Sequence, residues 1–157
     1  MQVGHLKYIP SDADIQAVKD KSSLIQNFLI DFVDQTGCRI MEAIRFRYQD
    51  TDGDLITLWT RKSKNSNLMP RRIPKPDCLT DKKGKGQVFT EWTSYPRFLE
   101  EKVKLLDQTK WNWHNLRHRR ASLWANQGMN TFEIMTRLGH TNLQTTQRYL
   151  QLLGFSR

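Results

Sequence analysis

The feature that most constrains the fold is the run Leu24, Ile25, Phe28, Leu29, Phe32 and Val33. These apolar residues recur at intervals of three and four, which places them on one face of an α-helix running from about Ser23 to Gln35. A stripe this wide needs a core to cover it, so the chain is committed to a packed helical domain. Thr36-Gly37 stops the helix, with Gly37 suited to the left-handed cap. The other segments follow similar signals. Ser11 caps a short helix with Asp12 and Asp14 in its first turn and Ile15 and Val18 on its apolar edge. A third short helix is expected to start near Arg39 and end by Tyr48, followed by a turn at Asp50-Thr51-Asp52-Gly53. Leu55 to Thr60 reads as a strand and Arg71 to Pro74 as its return. Lys82 to Gly86 is polar and reads as flexible. Helix returns over about 95–106, and Gly128 and Gly139 divide the last third into helices over about 115–127, 131–138 and 142–153. The expected class is mostly α (α+β), a helical domain over 1–157 with a small antiparallel β-sheet inserted near the N-terminal third.

Charge narrows the partner. The chain carries 25 Lys and Arg against 16 Asp and Glu, a formal net charge of +9. Residues 61–87 hold nine bases, among them Arg61, Lys62, Lys64, Arg71, Arg72 and Lys75, and two acids, a local excess of seven. A polyanion suits such a stretch, because neutralising phosphates releases condensed counterions. The cysteines, Cys38 and Cys78, stand forty residues apart with no Cys-x-x-Cys pair, so neither a zinc module nor a disulfide framework is expected. Apolar runs fall short of the ~20 residues that span a bilayer, and no signal-peptide pattern opens the chain. A soluble, cytoplasmic protein in a reducing compartment is the expectation.

Two groups of residues in the last third carry chemistry. His114-Asn115-Leu116-Arg117-His118 opens a helix and sets His114 and Arg117 on one face. Leu138-Gly139-His140 follows at a helix junction, and Tyr149 lies nine residues later, about two and a half turns into the last helix. Singly, each residue is ordinary: histidines cap helices, tyrosines pack with their hydroxyls satisfied, arginines pair with acids. Their order and spacing set them apart.

In that order and spacing the sequence resembles the tyrosine recombinases of phage-integrase type. Their hallmark is a His-x-x-Arg box, a Leu-Gly-His box, and a nucleophilic tyrosine about nine residues on. Here these are His114/Arg117, Leu138-Gly139-His140, and Tyr149 in Thr145-Thr146-Gln147-Arg148-Tyr149. The family's earlier arginine, after a helix-ending Thr-Gly and three residues before an acid, falls on Arg39, with Glu42 one turn on as its buttress. The family's catalytic lysine, in a β-hairpin turn, falls in Trp59-Thr60-Arg61-Lys62-Ser63-Lys64; Lys62 is preferred and Lys64 is the alternative. The resemblance spans the chain from Tyr8 to the last helix. It implies a catalytic domain without the N-terminal helical DNA-binding domain that full-length members carry.

What the resemblance implies is site-specific cutting and rejoining of double-stranded DNA, for integration or excision, by a homo-oligomer (a tetramer) on the DNA. Tyr149 would attack a phosphodiester to leave a 3′-phosphotyrosine and a free 5′-hydroxyl. Arg39 and Arg117 would bind the charge that builds on the non-bridging oxygens, because guanidinium is planar, always cationic and bidentate. His114 and His140 would donate hydrogen bonds to the same oxygens, with His114 the candidate base for the Tyr149 proton. Lys62 would protonate the leaving 5′-oxygen. Arg61, Lys64, Arg71, Arg72 and Lys75 would hold the DNA backbone. The ester keeps the bond energy, so neither ATP nor metal nor other cofactor is expected, and the sequence carries no phosphate-binding Gly-rich loop or magnesium-holding acidic cluster. Two other readings stand beside this one: a type IB topoisomerase, which uses the same tyrosine chemistry to relax supercoils, and a non-catalytic helix-turn-helix module over residues 131–153.

Overall fold

The computed structural model describes residues 7–61, 63, 65–80 and 84–155. Its elements run in the order α1 (Asp12–Asp20), α2 (Leu24–Thr36), α3 (Ile40–Arg45), β1 (Thr51–Asp52), β2 (Leu55–Arg61), β3 (Leu68–Pro74), α4 (Phe98–Leu105), α5 (Trp113–Asn126), α6 (Thr131–Leu138) and α7 (Leu143–Leu152), with a 3-10 turn at Tyr48–Asp50 before β1. The class is the expected one: helices with one small antiparallel sheet, ordered β1-β2-β3. Ile56 pairs with Ile73 and Leu58 with Arg71 across the main hairpin. Pro70, which has no N–H to donate, is accommodated on β3, at the edge of the sheet.

Helix ends follow local chemistry. Ser11 and Ser23 each close a capping box, with Asp14 and Gln26. Gly37 ends α2 at φ +68° and Gly139 ends α6 at φ +80°. One boundary differs from the periodicity reading. The helix expected from residue 95 begins at Phe98, because Pro96 keeps Tyr95 out of the helical region. The helix expected to end by Tyr48 ends at Arg45. Beyond it, Asp50 accepts from the Arg47 backbone N–H at 3.0 Å and from its guanidinium at 2.9 and 3.2 Å, and Tyr48 N–H donates to Gly86 O at 3.0 Å. Those bonds close the 3-10 turn and fix it against Gly86 before the chain enters the sheet. Gly86 is itself tied by its N–H to Gln49 Oε1 at 2.7 Å, so the tract that reads as flexible is anchored at this end.

Burial is divided between two apolar clusters. The larger joins α1 to α4, the sheet and the first turn of α5, with Phe32, Phe46, Phe89, Trp111 and Trp113 at its heart. The smaller, of Ala121, Trp124, Ile134, Leu138, Leu150 and Leu153, joins the rest of α5 to α6 and α7. The buried polar residues Thr36, Glu42, Arg117, His118 and Thr146 lie with the helix ends and helix faces that meet between these clusters.

Gly139 occupies the tightest point of that seam. A Cβ there would sit 2.8 Å from Arg71 Nη1, whereas one on Gly128, also left-handed at φ +86°, would meet nothing within 4 Å. Both alanine replacements incur backbone strain, on the order of 1 kcal/mol. Gly139→Ala should cost about 1–2 kcal/mol more than Gly128→Ala, since it must also displace an anchored guanidinium. Urea denaturation of the two variants measures the difference; equal losses would show that Arg71 moves aside freely.

Candidate active site

Arg117 is the centre of the seam. It lies one turn into α5, is 1% exposed, and donates from Nη1 to Gly37 O at 2.9 Å and from Nη2 to Leu138 O at 2.8 Å. These carbonyls belong to the C-terminal ends of α2 and α6, where helix dipoles leave partial negative charge. Burial lowers the Arg117 pKa to about 10, with Arg39 adding to the effect, and the side chain remains cationic at neutral pH. Gly37 and Leu138 are therefore placed by their helices, and Arg117 binds both.

Arg39 caps α3, and its Nη1 is buried with no hydrogen-bond partner. A buried guanidinium nitrogen without an acceptor is a seat for an anion. Glu42, expected from sequence to buttress Arg39, holds its backbone. One carboxylate oxygen accepts from the Arg39 backbone N–H at 2.8 Å, and the carboxylate pairs with Arg71 and accepts from the Thr60 hydroxyl. Arg71 correspondingly departs from its expected place on an outward basic face. Its side chain is 10% exposed, and its Nε donates to Arg137 O at the end of α6. It links sheet, α3 and α6 and is not free to meet a phosphate. Burial alone would raise the Glu42 pKa, but Arg71, Thr60 and the Arg39 N–H outweigh it and hold it at about 2.

Tyr149 on α7 faces this cation pair. Its hydroxyl meets His118 Nδ1 at 2.5 Å. Burial raises its pKa to about 12, against the opposing pull of Arg117 and Arg39. His118 stacks edge-on to His114 at 4.7 Å between ring centroids, and the His140 ring lies edge-on to Tyr149 at 5.7 Å. His140 Nδ1 shares a 2.7 Å hydrogen bond with Thr146 Oγ1, one turn before Tyr149 on α7. His114 is open to solvent on one edge, yet its pKa is pushed down to about 4 by burial of the rest of the ring and then by Arg117, Arg39 and Lys7. His114 sits in the first turn of α5 because Asn112 caps that helix, accepting from the His114 N–H at 3.0 Å.

Arg39, His114, Arg117, His140 and Tyr149, which the sequence reading selected, thus meet at one place within a single chain. Arg61 and Arg72 are exposed on the hairpin, Arg61 donating to Ser66 O at 2.6 Å. Lys75 is half-buried, and its backbone N–H donates to Asp54 O at 2.8 Å. Lys62 and Lys64, the alternatives for the general acid, lie outside the described residues. His118 was missed. Its signal was present, four residues after His114 and next to Arg117 on the same helix, but only the packing of α7 against α5 reveals what it touches. The arrangement presents a neutral hydroxyl beside two guanidiniums and three imidazoles, which fits a tetrahedral anion under attack by the phenol oxygen.

The model of the phage integrase family matches residues 73–154. Among solved structures, the catalytic domain of bacteriophage HP1 integrase is similar at TM-score 0.74 and 23% identity, over 94% of this chain and 89% of that one. XerA recombinase is similar at TM-score 0.69 and 20% identity, over 92% and 60%. The Tn1549 transposon integrase in complex with transposon right-end DNA gives 0.66 and 16%, over 90% and 61%. The chain therefore spans most of the HP1 domain but under two thirds of the other two. The sequence finds no significant match among curated proteins.

The Glu42 carboxylate sets a pH dependence of stability. Its folded pKa of about 2 lies below the ordinary glutamate value of 4.5, so its contribution is present above pH 4.5 and is lost as pH falls toward 2. The loss should be on the order of 2–3 kcal/mol. Glu42→Gln should lower stability at pH 7 and flatten this acid limb. Denaturation measured from pH 7 to pH 2 tests it, and an unchanged limb in the variant would assign the acid sensitivity elsewhere.

Proposed function

Because the chain belongs to the phage integrase family, we propose that it is a site-specific DNA recombinase that cuts and rejoins strands through a 3′-phosphotyrosine on Tyr149. The observation that supports this most directly is the meeting of the Tyr149 hydroxyl with Arg39, Arg117, His118 and His140 around a seat for an anion. A phenol with a pKa of about 12 is a poor nucleophile at rest. It becomes competent when a phosphodiester occupies the seat and its proton has somewhere to go. Arg39 and Arg117 then stabilise charge on the non-bridging oxygens, stronger in the transition state than in the bound substrate. His114 and His140 add hydrogen bonds to the same oxygens, and a lysine of the hairpin turn, Lys62 or Lys64, protonates the leaving 5′-oxygen.

The phosphotyrosine ester conserves the bond energy, so rejoining needs no nucleotide hydrolysis. Exchange between two duplexes requires four strand cleavages, which calls for four copies of the chain on the DNA. The exposed bases Arg61 and Arg72 extend from the site along the hairpin and suit the flanking phosphates. The Tn1549 integrase, a similar fold, is bound to transposon-end DNA, which favours the same class of partner.

Incubated with a nicked candidate attachment site, the protein should form a covalent complex that survives a denaturing gel, and Tyr149→Phe should abolish it while leaving DNA affinity within about twofold. Retained trapping in the Phe variant would remove Tyr149 from its role. Relaxation of any plasmid, without exchange between labelled sites, would point to topoisomerase activity instead.

A second test separates transition-state charge from DNA affinity. Arg39→Ala should slow cleavage by on the order of 10²–10³-fold, whereas Arg72→Ala should mainly weaken binding and reduce its salt slope by about one phosphate contact. Single-turnover cleavage and salt-dependent binding read the two effects. Equal losses of affinity in both variants would contradict the division.

A further inference from the structure

The Tyr149 proton needs an acceptor, and the sequence pointed to His114. We propose that His118 is a catalytic residue that takes this proton, because its Nδ1 lies 2.5 Å from the Tyr149 hydroxyl inside the fold. The inference rests on the reading of Tyr149 as the nucleophile. The other imidazoles are placed for different work. His140 Nδ1 is engaged with Thr146 Oγ1 at 2.7 Å. His114 touches the ring of His118 and opens to solvent, where a phosphate would arrive. His118 is 4% exposed, held on α5 directly under α7, and its ring lies 5.4 Å from the Tyr149 ring.

Tyr149 Oη forms its bond to phosphorus and its proton passes to His118 Nδ1. The bond between phosphorus and the 5′-oxygen breaks with its electron pair on that oxygen, which takes a proton from the hairpin lysine. Rejoining reverses both transfers, and His118 returns the proton to Tyr149.

The surroundings also keep the pair idle without substrate. The groups that act on His118 are His114 and Arg117 on its own helix, Lys7 from the N-terminal segment, and Tyr149 on α7. Burial, then His114, Lys7 and Arg117, lowers its pKa to about 3, so the ring is neutral and, with its proton on Nε2, accepts from Tyr149 at Nδ1. Proton transfer from a phenol at about 12 to such a ring is strongly uphill. A bound phosphodiester brings negative charge against Arg117 and Arg39, which offsets the cations that oppose an imidazolium. The base becomes effective when the substrate is in place.

The test is single-turnover cleavage of a nicked site from pH 6 to pH 9, with the unaltered protein, His118→Asn and Tyr149→Phe. Asn can accept the tyrosine hydrogen bond but cannot take its proton. His118→Asn should be on the order of 10²–10³-fold slower at neutral pH, should bind DNA as well as the unaltered protein, and should speed up about tenfold per pH unit as hydroxide replaces the base. The unaltered protein should show a much flatter profile. A near-normal rate in His118→Asn, or one reduced by a constant factor at every pH, overturns the proposal and leaves His118 a packing residue. Activity in Tyr149→Phe would instead overturn the nucleophile assignment on which the proposal rests. Should His118→Asn fail to fold, nitrogen NMR of the unaltered protein decides. A bare Nδ1 with the proton on Nε2 supports the acceptor role, and a protonated Nδ1 overturns it.

Discussion

A guanidinium almost wholly removed from water, bound to the C-terminal carbonyls of two helices, is the interaction on which the rest of this structure depends. Taking a cation out of water is costly unless its donors are satisfied. Arg117 meets that demand with Gly37 O and Leu138 O rather than with a carboxylate of its own. In the proposed reaction an adjacent carboxylate would neutralise the charge that holds the phosphate. Helix ends offer hydrogen bonds and partial charge while leaving most of the cation's field directed into the site. The same contacts hold the smaller apolar cluster against the larger, so α7, and Tyr149 with it, is placed through Arg117.

Around this clamp the other charges are sorted by partner. Glu42 pairs with Arg71 and takes the Arg39 backbone N–H, which leaves the Arg39 guanidinium with a buried, unpartnered nitrogen. Arg71 in turn closes α6 at Arg137 O and lies against Gly139, which explains physically why a glycine precedes His140. The fold thus spends one arginine on the carboxylate and keeps two for an anion. Tyr149, its pKa raised by burial and its hydroxyl held by a neutral imidazole, is quiet until an anion arrives.

Much of this was legible in the sequence. The apolar stripe of α2, the glycines that end α2 and α6, and the alternation in β2 gave the elements to within a few residues. The family resemblance in order and spacing selected Arg39, His114, Arg117, His140 and Tyr149, which the fold brings to one place. What remained hidden depends on contacts between segments far apart in sequence. Nothing local distinguishes Arg71 from Arg72, yet strand alternation turns one toward Glu42, 29 residues earlier, and the other to solvent. His118 reads as a neighbour of Arg117 until α7 lays Tyr149 against it, 31 residues later.

The central claim is that Tyr149, Arg39 and Arg117 surround one phosphodiester during its transfer. A crystal structure of the protein on a nicked duplex with vanadate at the nick, a mimic of the five-coordinate transition state, tests it most directly. The account predicts vanadium bonded to Tyr149 Oη, with Arg39 Nη1 and the Arg117 guanidinium donating to its equatorial oxygens. Vanadate bound away from Tyr149, or bound with Arg39 and Arg117 out of reach of its oxygens, would contradict it.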